Sequence, residues 1–393
     1  MSPRRRHIAL LFEYPTLNGG ERSMLAAIGS LPRDEFEFIA LAPAQGRLAE
    51  ALRERKIRHV PFEQHDAEGT RRSKAAIADE LVEHIHSLRP VLLHANSLAM
   101  GRLTGSIAEQ LTIPTTAHLR DIIGLSQAAI ADLNRNRRLF AVSQATRAFH
   151  VAQGLDPERA QVVYNGIDCE RFRPRPRTGR LHRELDLPGD AFLVGTIGQI
   201  GLRKGQNILA GASAAIALHA PGIHYLLVGE RHSSKAERVT FEQAVVDRFA
   251  EAGIGDRVHR LGYRDDVPAL LNEIDLLVHP AHQEPLGRVL REAAAAGVPI
   301  IATAVGGTPE ILEDGRSARL IPPGDGSALA AAMRALHGDA ALRHKFATAA
   351  RQRVCEAFEI KTAARTLAAA WSHAIDSSLP PSPSGNSSES GPG

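Results

Sequence analysis

The sequence is poor in cysteine and in aromatic residues. Only two cysteines, Cys169 and Cys355, occur in 393 residues, and aromatic residues make up 4% of the chain. Two cysteines do not make a disulfide framework, so none is expected and a reducing compartment is favoured. The formal net charge is only +3. Nucleic-acid surfaces usually combine a strong basic excess with aromatic side chains that stack on bases, so we expect no nucleic-acid partner.

Long apolar runs are absent as well. The sequence has no run of about 20 apolar residues, which is the length that a helix needs to cross a bilayer. The start of the chain, "MSPRRRHIALLFEYP", is basic, but its apolar run stops at Glu13 and is too short for a signal peptide. We therefore expect a cytoplasmic protein, and peripheral contact with the inner face of a membrane stays open.

Several signatures of nucleotide-binding and hydrolytic enzymes are missing. The chain has no G-x-G-x-x-G, no Gly-Lys pair for a Walker A loop, no H-E-x-x-H and no G-x-S-x-G. Its 18 histidines form no evident cluster with metal-ligand spacing. Dehydrogenases, P-loop NTPases, zinc hydrolases and serine hydrolases are therefore disfavoured, and no metal site is expected.

Short apolar, β-rich runs alternate with helical stretches along the whole chain. Continuous apolar strands separated by helices are typical of parallel sheets that are covered on both faces. The runs are 7–13, 36–42, 89–97, 113–121, 138–143 and 160–166 in the first half, and 192–200, 222–230, 257–263, 274–281, 299–305 and 317–323 in the second. The pattern predicts two α/β domains with doubly wound sheets and a ligand cleft at the carboxyl ends of the strands.

Two further stretches are compositionally distinct. The segment 171–183, "RFRPRPRTGRLHR", lies between the two halves and is strongly basic. It is either a solvated linker or a basic lip that faces an anionic acceptor or a membrane. The last residues, 377–393, are rich in Ser, Pro and Gly and are expected to be disordered.

The stretch 284–310, "EPLGRVLREAAAAGVPIIATAVGGTPE", combines two predicted helix starts. One helix is expected from Leu286 to Ala296. A second follows Gly306 and Gly307, with Thr308 as N-cap and proline in the first helical position. The first turn of a helix presents free backbone N–H groups and the positive end of the helix dipole. Two such ends in one cleft suit a diphosphate.

Three acids lie in the same stretch. Because an acid repels a diphosphate, Glu284 and Glu292 should bind neutral groups, and sugar or ribose hydroxyls are natural partners of a carboxylate. The alternative is that Glu284 is a loop charge and Glu292 a residue favoured by the helix dipole. Glu310, in the first turn of the second helix, is expected only to favour that dipole.

These motifs resemble the retaining, nucleotide-sugar-dependent glycosyltransferases of family 4. The pattern E-x₇-E, A-x-G-x-P, I-A-T and G-G-x-P-E lies in a nearly unbroken match over 257–323. Further similar segments are "NGGERSML" (18–25), the segment 142–174 and "GQIGLRKGQNIL" (198–209). The resemblance implies the α/β GT-B fold, in which two doubly wound Rossmann-like domains face each other across a cleft.

The resemblance also implies domain boundaries. An N-terminal acceptor-binding domain is expected over residues 1–180 and a C-terminal nucleotide-sugar-binding domain over 186–360. A helix over 361–376 is expected to cross back to the first domain.

The resemblance assigns roles to individual residues. Lys204 would hold the diphosphate as a point charge, and Arg203 would replace an arginine that many members carry where Gln199 stands. Glu284 would bind donor-sugar hydroxyls, and Glu292 the ribose. The other implied donor contacts are Gly19, Gly20, Tyr263, Arg264, Leu286, Gly287 and Arg288. Without the resemblance, the basic pair also fits a polar helix start and the two glycines a plain strand-to-helix turn.

His118 lies near the end of the predicted strand 113–121, where the family has a histidine close to the donor sugar and the acceptor. Together with Lys204 and Glu284 it forms the predicted catalytic set, although a lone histidine is more often structural. The neighbours Arg120 and Asp121 have no assigned role, and the simplest expectation is that they pair with each other.

The resemblance implies transfer of a sugar from a UDP- or GDP-sugar to an acceptor hydroxyl, with retained anomeric configuration and without a metal or other cofactor. The acceptor is a glycan, a glycolipid or a small molecule. Two alternatives remain, a sugar-nucleotide epimerase that shares the fold and a non-catalytic nucleotide-sugar-binding homologue. The joint presence of Lys204, Glu284, Glu292 and His118 argues against the second, because a decayed site loses such residues.

Overall fold

Two parallel β-sheets, each covered by helices, organise the chain. The computed structural model describes residues 5–231 and 235–377, so the tail predicted to be disordered lies outside them except for Ser377. Most strand residues are buried on both faces of their sheets. This double burial is the reason that the strands read as continuous apolar runs rather than as alternating patterns.

The first sheet has seven strands in the order β3-β2-β1-β4-β5-β6-β7. The strands are β1 (Arg6–Leu11), β2 (Phe36–Ala42), β3 (Arg58–Pro61), β4 (Leu92–Ala95), β5 (Thr115–Leu119), β6 (Arg138–Ala141) and β7 (Ala160–Val162). The helices are α1 (Gly19–Gly29), α2 (Arg47–Glu54), α3 (Lys74–Leu88), α4 (Leu98–Ser106), α5 (Gln127–Asn134) and α6 (Gln144–Val151). The apolar pattern does not predict β3, because its side chains are exposed or half-buried.

The second sheet has six strands in the order β10-β9-β8-β11-β12-β13. The strands are β8 (Phe192–Ile197), β9 (Ile223–Val228), β10 (Val258–Gly262), β11 (Leu276–His279), β12 (Ile300–Thr303) and β13 (Arg319–Ile321). The helices are α7 (Arg180–Glu184), α8 (Gln206–Ile216), α9 (Ala236–Glu251), α10 (Val267–Leu271), α11 (Arg288–Ala295), α12 (Thr308–Ile311), α13 (Gly326–Gly338) and α14 (Ala340–Ala357). None of the described helices is both long and apolar enough to cross a membrane.

The strand order reverses once in each sheet, between β1 and β4 in the first and between β8 and β11 in the second. Ligands of doubly wound folds bind outside the carboxyl ends of the strands at such a reversal, because the two connections leave on opposite faces and open a crevice. The loops that follow β1, β4, β8 and β11 are therefore the first places to look for a site.

The last described helix, α15 (Ile360–Asp376), packs on the first domain. Its Trp371 is fully buried and contacts Phe36 and Phe38 of β2. The crossing is tied to the end of the first domain, since the backbone of Ile167 bonds with both Phe358 and Ile360. The helix predicted over 361–376 is thus present, begins one residue earlier at Ile360, and packs on the first-domain core.

Cys169 and Cys355 form a disulfide bond, which the composition argument does not anticipate. Their Cα atoms are 6.0 Å apart although 186 positions separate them in the chain. Cys169 follows β7, and Cys355 lies near the end of α14, so the bond joins the two segments that cross between the domains. A count of cysteines misses this bond because only the three-dimensional crossing brings the pair together.

The basic segment between the domains acts as a linker along the amino edge of the second sheet. Arg177 pairs with Asp275 at 2.7 Å and donates to the carbonyl of Ile274, just before β11. The backbone N–H of Arg175 donates to Asn272. Because these partners precede a parallel strand, they lie at the end of the sheet opposite the cleft. This part of the segment therefore lies away from the cleft, while the alternative of a basic lip that faces an anionic acceptor or a membrane stays a prediction.

Candidate active site

Residues that follow β1, β5, β8 and β11 meet where the two sheets face each other. Arg203 and Lys204 form a short 3-10 turn after β8, while Glu284 follows β11. Lys204 reaches Glu284, and Arg203 crosses to Asp121 of the first domain at 3.5 Å. Arg288 reaches Ser23 of α1 at 3.4 Å. The sequence-predicted residues therefore gather at the two strand-order reversals.

Lys204 and Glu284 form the central ion pair of this cluster. The Lys204 Nζ lies 2.6 Å from one carboxylate oxygen of Glu284, and Nε2 of His279 lies 2.9 Å from the same oxygen. The other oxygen accepts the backbone N–H of Gly287 at 2.8 Å. Burial raises the pKa of Glu284, but the charge of Lys204 and the bonds from His279 and Lys204 outweigh it and hold that pKa well below its usual range. Glu284 is therefore an ionised carboxylate.

His279 is a member of this cluster that the motif analysis does not select. It is the last residue of β11 and is buried. Burial lowers the pKa of His279, although the bond to Glu284 opposes the shift. A neutral imidazole has one N–H, and here it donates to Glu284. The signal in the sequence is weak, since it consists only of a histidine at the carboxyl end of a buried strand.

Glycines allow the loops after β11 and β12 to pack together. Gly306 has a φ of 51°, and a Cβ on it would lie 2.0 Å from the carbonyl oxygen of Glu284. The N–H of Gly307 donates to that same carbonyl at 3.0 Å. This contact makes Gly307 the N-cap position and Thr308 the first residue of α12, so the prediction of Thr308 as N-cap is wrong by one residue. The helix after Gly287 begins at Arg288 rather than at Leu286, which is buried.

Glu310 does more than favour the dipole of its own short helix. Its carboxylate accepts the backbone N–H groups of Gln144 and Ala145 at 2.9 Å each, in the first turn of α6. It also accepts the hydroxyl of Tyr164 at 2.7 Å. Burial and the bond to Glu310 raise the pKa of Tyr164. A second-domain acid thus caps a first-domain helix beside the glycine loop, and the expectation of a purely local role is wrong.

The turn after β10 contacts the first domain through Tyr263. The guanidinium of Arg47 lies 3.7 Å from the centre of the Tyr263 ring, and Arg22 bonds to the Tyr263 hydroxyl. Arg22 also pairs with Asp265 at 3.1 Å. Arg47 and Arg22 therefore hold Tyr263 from across the cleft, and neither is selected by sequence motifs.

Arg264, the neighbour of Tyr263, has a different environment. Its guanidinium pairs with Asp266 at 2.8 Å and with Glu184 of α7. The bonds that Asp266 accepts from Arg264 and from Arg180 hold its pKa well below the usual range despite its partial burial. The side chain of Arg264 is thus engaged within the second domain, which leaves only its backbone for the predicted contact with a base.

Glu292 lies near the first domain on the face of α11. It is buried and pairs with Arg288 one helical turn earlier, at 2.7 Å. Arg288 also approaches the Gly19 position, where an added Cβ would lie 3.9 Å from its side chain. The predicted ribose ligand and the predicted glycine loop are therefore joined through one arginine.

The first-domain wall contains Arg120, which is partly buried. Arg120 donates to the carbonyl and side-chain oxygens of Asn96 at 2.8 and 2.7 Å, and to Asn165 at 2.9 Å. Asp121 pairs with Arg203 instead, so the expected pairing of Arg120 with Asp121 is wrong. Gly20 packs over Arg120, because a Cβ there would lie 3.0 Å from the arginine side chain.

Two family models match the chain. One, described as Glycosyltransferase Family 4, matches residues 17–171, and the other, described as Glycosyl transferases group 1, matches residues 178–353. Together they cover every strand of both sheets except β1. The chain belongs to this family of glycosyltransferases. The resemblance seen in the sequence and the GT-B fold that it implies are thereby confirmed.

Individual relatives agree with this assignment. A D-inositol 3-phosphate glycosyltransferase of Salinispora tropica is 35% identical over 208 residues, which cover 50% of this chain and 42% of that protein. A glycogen synthase of Mycobacterium tuberculosis is 31% identical over 212 residues, which cover 53% and 47%. The chain thus matches about half the length of these curated relatives. The solved structure of Anabaena Alr3699/HepE in complex with UDP-glucose is 25% identical, with a TM-score of 0.82 over 93% of this chain and 99% of that one.

Proposed function

We propose that this glycosyltransferase moves a sugar from a UDP-sugar, or less favourably a GDP-sugar, to an acceptor hydroxyl with retained anomeric configuration. The acceptor belongs to glycan, polysaccharide or glycolipid synthesis or is a small molecule. The observation that carries the proposal is the Lys204–Glu284–His279 cluster at the strand-order reversal of the second sheet. The UDP-glucose complex of Alr3699/HepE supports the choice of nucleotide.

Lys204 is the proposed diphosphate ligand. Glu284 holds the ammonium group in place and balances its charge before a donor enters. The three N–H groups of Lys204 can serve a phosphate oxygen and Glu284 together. Arg203, next in the chain, is held at the cleft by Asp121 and supplies a second cation. Such pre-placed charges stabilise the negative charge that develops on a departing nucleoside diphosphate, without a metal ion.

Glu284 and Glu292 are the proposed ligands of hydroxyl groups. Each carboxylate has lone pairs beyond those used by its present partners, so each can still accept from a sugar or ribose O–H. Gly19, Gly20, Gly287 and the backbone of Leu286 and Arg288 allow close approach of the phosphates and the sugar. Tyr263, between two first-domain arginines, lies at the proposed nucleobase end.

The proposed reaction is a front-face substitution. The acceptor oxygen forms a bond to the anomeric carbon while the bond from that carbon to the phosphate oxygen breaks. The acceptor proton goes to the departing phosphate, which stays on the same face of the sugar. His118, near the carboxyl end of β5, is the proposed contact for the sugar or the acceptor. Closure of the cleft excludes water and so limits donor hydrolysis.

A panel of nucleotides tests the proposal. Thermal unfolding is followed with UDP, GDP, UDP-glucose and GDP-mannose, because a ligand of the native state raises stability by mass action. We expect stabilisation by UDP and UDP-glucose that the Lys204→Ala variant loses. UDP release is then measured with glycan and glycolipid acceptors, and NMR gives the anomeric configuration of the product. Stabilisation by no nucleotide, an inverted product, or epimerised donor without UDP release would overturn the proposal.

A further inference from the structure

Three buried side chains form a hydrogen-bonded row across β4 and β5. His94 of β4 lies opposite Thr116 of β5 in the strand register. Its Nδ1 lies 2.8 Å from the hydroxyl oxygen of Thr116, and its Nε2 lies 2.8 Å from Nδ1 of His118. Thr116 and His118 are two positions apart on one strand and therefore point to the same face. At most 1% of each residue is exposed.

Both imidazoles of the row are neutral. Burial lowers the pKa of His94 and of His118 well below the ordinary value, and the nearby charge of Arg120 lowers both further. Phe140 of β6 packs against both rings, and Trp371 of α15 packs against His94. Each ring therefore carries one N–H, and which nitrogen holds it follows from the partners along the row.

The hydroxyl of Thr116 determines which atom donates in each hydrogen bond of the row. Among the described residues its one side-chain hydrogen-bond partner is Nδ1 of His94. If that nitrogen carried the hydrogen, the hydroxyl hydrogen would be buried without an acceptor, which is costly. The hydroxyl therefore donates to His94, His94 donates through Nε2 to Nδ1 of His118, and His118 must carry its hydrogen on Nε2.

The Nε2 atom of His118 is available for a ligand. Among the described residues this atom has no hydrogen-bond partner. It is also not fully closed to solvent, so a ligand can reach it. His118 is next to the last residue of β5, and Arg120, two positions on, lies directly under Gly20. The N–H is therefore the one group of the row that can meet a substrate at the carboxyl edge of the sheet.

We propose that Thr116 and His94 are positioning residues that fix His118 as a hydrogen-bond donor through Nε2. His118 then binds an oxygen of the sugar or the acceptor and does not act as the base that deprotonates the acceptor. Neither Thr116 nor His94 touches the substrate, since both act through His118. The inference deepens the proposed glycosyl transfer and rests on it for the identity of the bound oxygen.

The direct test reads the tautomer of His118 by NMR of the full chain labelled with ring-¹⁵N histidine. Its signals are assigned by their loss in the His118→Gln variant. We expect the Nε2–H tautomer in the wild-type protein. Thr116→Val removes the hydroxyl at nearly constant volume, and we expect it to move His118 towards the Nδ1–H form. Thr116→Ser keeps the hydroxyl and should restore the wild-type spectrum.

The strand supplies a matched control in Thr115. This threonine is also buried, and its hydroxyl has no partner among the described residues, so Thr115→Val should leave the His118 spectrum unchanged. An Nδ1–H tautomer in the wild-type protein, or a spectrum of Thr116→Val that matches Thr115→Val, would overturn the inference. Because the spectrum needs no substrate, this result is independent of whether UDP-glucose is the donor.

Kinetics of the two valine variants distinguish a role of Thr116 in positioning His118 from a role in stability alone. With UDP-glucose as the probe, Thr116→Val should lower kcat for UDP release about tenfold, the effect of one hydrogen bond, and leave UDP affinity unchanged. Thr115→Val should change neither. If the wild-type enzyme does not cleave UDP-glucose while His118 shows the Nε2–H tautomer, the proposed donor is wrong and the positioning role stands. An equal loss of kcat in both valine variants would contradict the positioning role.

Discussion

The carboxylate of Glu310 accepts the backbone N–H of Gln144 at 2.9 Å, although the two residues belong to different domains. Glu310 lies three positions after Gly307, whose N–H donates to the carbonyl of Glu284. The placement of the proposed phosphate loop is therefore coupled to the first turn of a helix across the cleft.

Replacement of Glu310 by Ala should affect both stability and donor binding. The change removes three hydrogen bonds, two of which cap α6, so we expect a loss of about 1–2 kcal/mol in the free energy of unfolding. UDP should bind several-fold more weakly because its loop is less fixed. Urea unfolding and calorimetric titration measure the two effects. Tyr164→Phe, which removes only one of the bonds, is the control, and equal effects of the two variants would contradict the capping role.

Lys204→Ala should weaken UDP binding by about a hundredfold, which is the size expected when a charged hydrogen bond to a phosphate is lost and the Glu284 carboxylate is left buried without its partner. Arg203→Ala is the matched control, because Arg203 is the neighbouring cation but pairs with Asp121. We expect Arg203→Ala to weaken UDP binding less than Lys204→Ala does. Calorimetry with UDP distinguishes the two, and unchanged affinity in Lys204→Ala would exclude the phosphate role.

Glu284→Gln should impair the contact with the donor sugar and leave binding of the nucleotide nearly unchanged. The amide keeps the size of the side chain but loses its charge, so it binds hydroxyl groups less strongly. We expect turnover of UDP-glucose to fall about tenfold or more while UDP itself binds nearly as before. Steady-state kinetics and UDP titration provide the comparison. A parallel loss of UDP affinity would show that Glu284 acts through Lys204 and not on the sugar.

Arg47→Ala should weaken UDP binding about threefold, since a cation–π contact with the Tyr263 ring contributes about 0.5–1 kcal/mol. The guanidinium lies 3.7 Å from the ring centre and reaches it from the opposite domain. Arg53→Ala changes an exposed arginine of the same helix and should have no effect. If both variants bind UDP equally, the contact with Tyr263 does not shape the nucleotide pocket.

The protein should lose stability in mild acid. Burial lowers the pKa of His94, His118 and His279 below the ordinary value of 6.5. Near pH 6.5 these histidines bind protons in the unfolded chain but not in the folded chain. Their contribution to the free energy of unfolding is therefore present above pH 6.5, and it is lost as the pH falls towards their pKa values in the folded chain. Each histidine should contribute about 1.4 kcal/mol per pH unit in this window.

Urea unfolding between about pH 7.5 and pH 5.5, across this titration window, measures the slope. His118→Gln has one buried histidine fewer. The slope of its unfolding free energy against pH should therefore be smaller than that of the wild-type protein by the contribution of one histidine. An exposed histidine such as His344 serves as the control, and His344→Gln should keep the wild-type slope. Equal slopes in all three proteins would contradict a neutral, buried His118.

Local features of the chain were predictable from the sequence, while contacts between distant segments were not. The buried strands and the loops around Lys204 and Glu284 follow from apolar runs and from motifs of adjacent residues. The capping of α6 by Glu310 and the contact of Arg47 with Tyr263 depend on how two domains are placed, which no local pattern encodes. His94 escapes notice for a related reason, because a histidine in an apolar strand gains meaning only when its neighbour on the next strand is known.

The bond between Cys169 and Cys355 closes the second domain into a covalent ring, since the two cysteines bracket its whole sheet. Without the bond, one peptide cleavage within that ring separates the chain into two pieces that only noncovalent contacts hold together. With the bond, the same nicked protein stays a single molecule through denaturation and falls apart only on reduction. The disulfide bond between the two crossing segments therefore keeps both domains in one covalent unit even after the peptide backbone of the second domain is cut.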